Sequence, residues 1–206
     1  MKYREFTKII EKPYFTRTEL RIRNLQVPDY QLSRWQGMGD IEKIQRGIFV
    51  FTARKKEVIP EEVAFLLYEP SYISLEYALH HYGFIPEMVA VCTSVTTRPT
   101  RTIANQFGRF SYRTIVPKLF WGYGDIETKH GKYLFAHPEK ALLDYFYLNP
   151  RAIRTRDDLE GMRFDYETMS TTLNRARIKK YVKQFHSKRL DQLVNELLAL
   201  CSPSRS

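Results

Sequence analysis

Two cysteines, Cys92 and Cys201, in a chain of 206 residues cannot build a disulfide framework, and alone they cannot complete a four-ligand zinc site. A reduced protein in the cytoplasm is the expectation. No apolar run approaches the roughly 20 residues that a membrane-spanning helix needs. The charged start Met1-Lys2-Tyr3-Arg4-Glu5 is followed by no apolar segment, so neither a secretory signal nor a membrane partner is expected. The nine glycines form neither GxxxxGK[ST] nor GxGxxG, and Gly122-Tyr123-Gly124 reads as a turn. GxSxG and HExxH are missing as well. These gaps leave no cofactor, no metal and no enzyme among the expectations.

What the chain does hold is bulk and positive charge. Hydrophobic residues make up 43%, with 14 Tyr and 13 Phe, enough for one core or two. The net charge is +10, and it is unevenly spread. Residues 1–59 carry 13 basic and 7 acidic groups, residues 60–150 carry 8 and 9, and residues 151–206 carry 12 and 7. Two basic ends therefore flank a nearly neutral middle. A localised positive field attracts polyanions by releasing their counterions, which makes nucleic acid the expected partner. On charge alone, a solvated Lys/Arg surface without a polyanion is an equal alternative.

The order of elements sharpens this. Phe6, Ile9 and Ile10 at helical spacing predict a short helix within Lys2–Lys12, ending before Pro13. Thr16-Arg17-Thr18-Glu19 reads as a capping box that opens a second helix to about Asn24, burying Leu20 and Leu25. After the break at Val27-Pro28, Asp29 reads as the cap of a third helix with Leu32 and Trp35 inward, closed by Gly37 and Gly39. Ile41–Gln45 and Ile48–Thr52 predict a hairpin about Arg46-Gly47, with Ile44, Ile48 and Val50 facing one side. Three helices and a hairpin within residues 1–56 follow the order of a winged helix-turn-helix, whose third helix enters the major groove. On its outer face lie Tyr30, Gln31, Ser33 and Arg34. Gln31 suits an adenine edge and Arg34 a guanine edge, each good bidentate pair giving roughly 1–3 kcal/mol of discrimination. Arg17 and Thr18 are expected on phosphates, and Lys43 and Arg46 at the wing. The same unit serving protein contacts alone is the alternative.

Residues 53–59 read as a charged linker, and residues 60–206 as a larger mixed α/β domain, so the fold class is α+β. Pro60 opens a helix with Val63, Leu66 and Leu67 inward; Ser74 caps another that runs through Tyr82 to a stop at Gly83. Met88–Val95 is β-rich. Hairpins are expected about Gly108 and about His130-Gly131, and Pro138 opens a helix with Ala141, Leu142 and Tyr145 on one face. Helices over Thr172–Phe185 and, behind a Ser187 cap, over 187–200 precede a serine-rich end at 202–206. Arg175, Lys179 and Lys183 share i, i+4 spacing and form a positive stripe, either a solvated face or a second DNA-backbone surface. Glu127-Thr128-Lys129 matches the acid–lysine tripeptide of metal-dependent nucleases, but the 37 residues from Met88 to Gly124 hold no second carboxylate. His80 and His81 diverge by about 100° on a helix, too far to share a metal. His130, His137 and His186 read as satisfied or exposed side chains. Lys140 and Asp144 read as an i, i+4 ion pair, with Glu139 meeting the helix dipole.

Several blocks in order along residues 1–150 resemble one family. They are Ser74-Leu75-Glu76-Tyr77-Ala78-Leu79, Tyr82-Gly83-Phe84-Ile85-Pro86, Thr93-Ser94-Val95-Thr96-Thr97-Arg98, Phe110-Ser111-Tyr112-Arg113, Leu119-Phe120-Trp121-Gly122-Tyr123 and Arg46-Gly47-Ile48-Phe49-Val50. The most specific is Ala136-His137-Pro138-Glu139-Lys140-Ala141-Leu142-Leu143-Asp144. Together they resemble the AbiEi antitoxins of type IV toxin–antitoxin systems; the chain beyond residue 151 matches only loosely. The resemblance implies an N-terminal winged helix-turn-helix and a C-terminal α+β domain. It implies binding to inverted repeats in the protein's own promoter, autorepression, and action against a nucleotidyltransferase-like toxin encoded alongside, with or without a stable complex. It carries DNA contacts only to the third-helix and wing positions named above. A stand-alone winged-helix transcription factor and a protein-interaction module without DNA binding are the alternatives.

Overall fold

The computed structural model describes residues 1–151 and 153–201; the serine-rich end at 202–206 lies outside the described residues. The chain is a mixed α/β protein with one three-stranded and one six-stranded sheet.

The first part runs α1 (Tyr3–Ile9), β1 (Tyr14–Thr16), α2 (Arg17–Ile22), α3 (Asp29–Gly37), β2 (Ile41–Gln45) and β3 (Ile48–Phe51). The sheet order is β1-β3-β2, antiparallel throughout, with Phe15 opposite Phe49 and Ile41 opposite Phe51. One face of this sheet and the three helices enclose Phe6, Phe15, Leu20, Leu32, Trp35, Phe49 and Phe51. Phe6 stacks on Trp35 at 5.0 Å and meets Phe15 edge-on at 4.9 Å, so aromatic contacts supply most of this small core. Ile9 departs from the expected apolar stripe: it is 42% exposed, and α1 ends there rather than near Lys12. β3 is buried on both faces. Ile48 and Val50, with Ile44 and Tyr14, leave the small core and join the larger one, as their common parity predicts.

The stretch read as a linker is instead a 3-10 turn, Thr52–Glu57. The Arg54 guanidinium fixes it by donating to the carbonyls of Thr7, Ile10 and Glu11 at 3.0–3.2 Å. A charged, polar composition suggested solvent; the guanidinium finds the unpaired carbonyls at the end of α1.

The second part runs α4 (Pro60–Leu67), β4 (Ser71–Ile73), α5 (Leu75–His81), β5 (Val91–Thr96), β6 (Arg101–Asn105), β7 (Gly108–Thr114), a 3-10 turn at Pro117–Leu119, β8 (Tyr123–Glu127), β9 (Lys132–Ala136), α6 (Pro138–Leu148), α7 (Arg156–Gly161), α8 (Tyr166–Thr172), α9 (Arg175–Lys183) and α10 (Lys188–Leu200). The sheet order is β6-β7-β5-β4-β9-β8. Its outer pairs β6–β7 and β8–β9 are the two expected hairpins, and β4 is parallel to β9 as β5 is to β7. α5 and α6 bring Ala78, Leu79, Leu142, Leu143 and Phe146 into the large core, while Leu66 is only half-buried. Ser187 caps α10 by accepting from the Leu190 amide, as expected.

Ser74 occupies the N-cap position of α5 but does not cap it. Its hydroxyl donates to Asp144 Oδ2 at 3.0 Å instead, and Leu75 takes a φ of +61° beside it. A buried carboxylate is a stronger acceptor than a helix amide is a donor, so the side chain turns inward.

Candidate nucleic-acid interface

The local chemistry that sets the outer surface of α3 begins with α2. Thr16 Oγ1 accepts from the Glu19 amide at 2.9 Å, and the Arg17 amide donates to the Gly47 carbonyl at 2.8 Å, which ties the start of α2 to the β2–β3 turn. Only half of the expected capping box forms, because the Glu19 carboxylate pairs with Arg23 at 3.1 Å. Gly47 adopts a φ of +82° at the second central position of the Arg46-Gly47 turn, a backbone conformation that favours glycine. α3 buries Leu32 and Trp35, and this fixes which side of the helix faces out.

On that side Tyr30 is 75% exposed, and Ser33, Arg34 and Gln36 are exposed with it. Gln31 is half-buried and its amide donates to the Met1 carbonyl. Asp29 is not the cap of α3; Pro28 holds that position, and the Asp29 carboxylate pairs with Arg17 at 2.5 Å. Both partners are exposed, so the pair contributes about 0–1 kcal/mol and yields to a competing anion.

Between α3 and the β2–β3 hairpin runs a groove of about 400 Å³. It is lined by Arg17, Asp29, Ser33, Gln36, Lys43 and Arg46 over a floor of Leu32 and Phe49. Four of the eight residues singled out from the sequence therefore meet in one concave surface. Thr18 does not reach it. With Arg17 and Arg46 it borders a second, larger cleft of about 960 Å³ between α2 and the β8–β9 turn. Gln36 was missed; it lies one turn beyond Ser33, and i, i+3 spacing places it on the same side. Three cations and one carboxylate give the groove a positive balance.

The positive stripe on α9 is altered. Lys179 and Lys183 are exposed, but Arg175 reaches across to donate to the Leu198 and Cys201 carbonyls at 3.3 and 3.5 Å. It serves the C-terminal end of α10, where unpaired carbonyls collect.

Of the remaining candidates, Glu127 and His130 line the larger cleft together with Arg17, Thr18 and Arg46. Glu127 is exposed at the end of β8, and Lys129 lies in the following turn, 3.4 Å from Glu57. His130 Nε2 also contacts Glu57, at 3.0 Å, and His137 Nδ1 lies 3.2 Å from the Tyr181 hydroxyl. Among the described residues no group of three or more His, Cys, Asp or Glu is placed to hold a metal ion, and no helix is long and apolar enough to cross a membrane. Glu139 stands in the first turn of α6, as expected; it is buried there and also braces the start of α9 by accepting from the Asn174 backbone amide at 2.8 Å. Compared with known proteins, the chain matches no family model and no curated protein.

Proposed function

We propose that residues 1–56 form a winged helix-turn-helix that binds double-stranded DNA, and that the chain is an AbiEi-type antitoxin and autorepressor acting in the cytoplasm. The observation that carries the DNA reading is the groove where Arg17, Ser33, Lys43 and Arg46 converge beside the exposed face of α3. The order helix–strand–helix–helix–strand–strand, closed by the β1-β3-β2 sheet, supports it. Tyr30, Ser33 and Arg34 then meet base edges, and Arg17, Thr18, Lys43 and Arg46 hold the backbone on either side. The antitoxin half rests on the resemblance carried by the blocks from Ser74 to Asp144.

The test is an electrophoretic shift on the duplex upstream of the gene, repeated over a salt series. A specific shift that weakens steeply with salt supports the reading. Absence of a shift at low salt removes the repressor half. Co-expression with the neighbouring gene tests the rest: growth restored by this chain supports an antitoxin, and growth arrest that this chain leaves unrelieved contradicts it.

A further inference from the structure

The near-neutral total of residues 60–150 conceals a segregation of charge. Between Glu87 and Asp125 the sequence has no Asp or Glu, yet it carries Arg98, Arg101, Arg109, Arg113 and Lys118. This stretch folds as β5, β6, β7 and the turn after them. β6 is the outermost strand on its side of the sheet; β7 pairs with one of its edges, and among the described residues no strand pairs with the other. Arg101, Thr102 and Ala104 are exposed along it.

An open edge is a row of backbone donors and acceptors spaced for one more strand. Soluble proteins commonly blunt such edges with Pro, Lys or a bulge. β6 contains neither residue, its one charged side chain is Arg101, which lies toward the Tyr68 ring, and its register with β7 is continuous from Arg101 opposite Tyr112 to Asn105 opposite Gly108.

We propose that β6 is a docking edge for an acidic, extended segment of a partner protein, which adds to the sheet as a seventh strand. The placement of charge selects this class of partner. Arg101 pairs with Tyr112 and shares its side of the sheet, where its guanidinium lies 5.7 Å from the Tyr68 ring; Arg98 sits over the same ring at 4.1 Å. Arg109 pairs with Ala104 and belongs to the opposite side. Side chains of an added strand alternate between the two sides, so acidic residues along it reach both sets of arginines. A nucleic-acid duplex approaches one side only. The far edge of the sheet has the opposite character, since β8 carries Asp125 and Glu127. Asp125 is already engaged by Lys132 at 3.2 Å.

The test uses the full chain and a fluorescein-labelled octapeptide of alternating Val and Glu, followed by anisotropy at about 50 mM salt. Two further probes replace Glu by Lys, or carry N-methyl groups on alternate amides so that charge is kept while strand pairing is blocked. The expected result is binding of the Glu peptide about tenfold or more tighter than either counterpart, with preference reversed toward the Lys peptide in Arg101→Glu/Arg109→Glu. Equal binding of the N-methylated probe reduces the effect to charge and overturns the proposal, independently of how the variant folds. Displacement of the peptide by a short DNA duplex, lost together with peptide binding in Arg101→Glu/Arg109→Glu, makes the edge a nucleic-acid surface and overturns it too. Concentration-dependent self-association that the same variant abolishes assigns the edge to a second copy of the chain and likewise overturns the proposal. None of these outcomes depends on α3, so the DNA reading stands or falls separately.

Discussion

Lys140 and Asp144 face each other one helical turn apart on α6, and neither side chain has any exposure to solvent. The Tyr72 hydroxyl closes the arrangement, accepting from Lys140 Nζ at 2.6 Å and donating to Asp144 Oδ2 at 2.8 Å. The rings of Tyr72, Trp121 and Phe185 surround the ammonium at 5.1–5.6 Å. Burial holds the Asp144 carboxyl above its ordinary range and the Lys140 ammonium below its own, and in each case the attraction of the partner opposes the shift. Removing one partner strands the other charge in a dry interior. Lys140→Met or Asp144→Leu is expected to cost about 3–5 kcal/mol. The double variant should lose less than the sum of the two, by roughly 0.5–3 kcal/mol. Urea unfolding of the three variants decides this; strictly additive losses contradict the coupling.

Gly122 is tied to the same lysine. Its φ is +78°, and a Cβ there would come within 2.9 Å of Lys140 Cγ. Gly122→Ala is expected to destabilise by roughly 1–3 kcal/mol, through the left-handed backbone and the collision with the lysine stem. Gly37→Ala is the contrast. It lies in α3 with nothing within 4 Å of a new Cβ, and the change is expected to stabilise by roughly 0.5–1 kcal/mol. Thermal melts of both variants check the opposite signs.

Alkaline pH should weaken the fold through its tyrosines. Burial raises the phenols of Tyr14, Tyr72, Tyr77 and Tyr112 well above their ordinary value and pushes Tyr82 up to about 12. Below the unfolded value of about 10, both states hold these protons and stability is unaffected by pH. Above it the unfolded chain releases them first, so stability falls as pH rises toward the folded values. Lys140, lowered by burial, acts in the opposite sense, one group against several. The tyrosines are expected to leave the urea midpoint unchanged between pH 7 and 9 and to lower it above about 10; a midpoint that holds steady to pH 11 contradicts it.

Charge changes in the groove should separate backbone contacts from base contacts. Asp29→Asn removes the carboxylate that occupies Arg17 and is expected to raise affinity for all duplexes severalfold at low salt. Lys43→Ala should weaken all sequences alike and reduce the salt slope by about 1. Arg34→Ala should relax discrimination at one base pair by roughly 1–3 kcal/mol. On α9, Lys179→Glu/Lys183→Glu tests a second backbone surface without Arg175, which is committed to α10. Undiminished promoter affinity in that variant removes the second surface.

Legibility followed the strength of local signals. The spacing of Leu32 and Trp35, the Thr16 and Ser187 caps and the three glycine-centred hairpins were readable because each has a short-range cause. β1 and β4 were not, since three residues are too few to display alternation, although β4 holds Tyr72 in the middle of the sheet. α7 and α8 were overlooked despite their caps, Thr155 and Asp165, each followed by acidic residues in the first turn, Asp157 and Asp158 in α7 and Glu167 in α8. The spacing of Lys140 and Asp144 is the same for a surface pair and for a buried one. Only the strand that brings Tyr72 and Ser74 alongside distinguishes them, and that contact spans about 70 residues. Arg17, Ser33, Lys43 and Arg46 were legible as outward-facing types, but Gln36 was not, and neither was the Asp29–Arg17 pair, because Asp at a helix start serves equally as a cap.

The most direct measurement is an anisotropy titration of the upstream duplex with the wild-type chain and with Tyr30→Ala/Ser33→Ala/Arg34→Ala, each set against a scrambled duplex. All three positions lie outside the core of the first unit, so the variant is expected to fold. The wild type should prefer the upstream duplex, and the variant should bind both duplexes at the weaker, salt-sensitive level of the scrambled one. A variant that keeps both the affinity and the preference of the wild type would place the reading surface elsewhere than on α3.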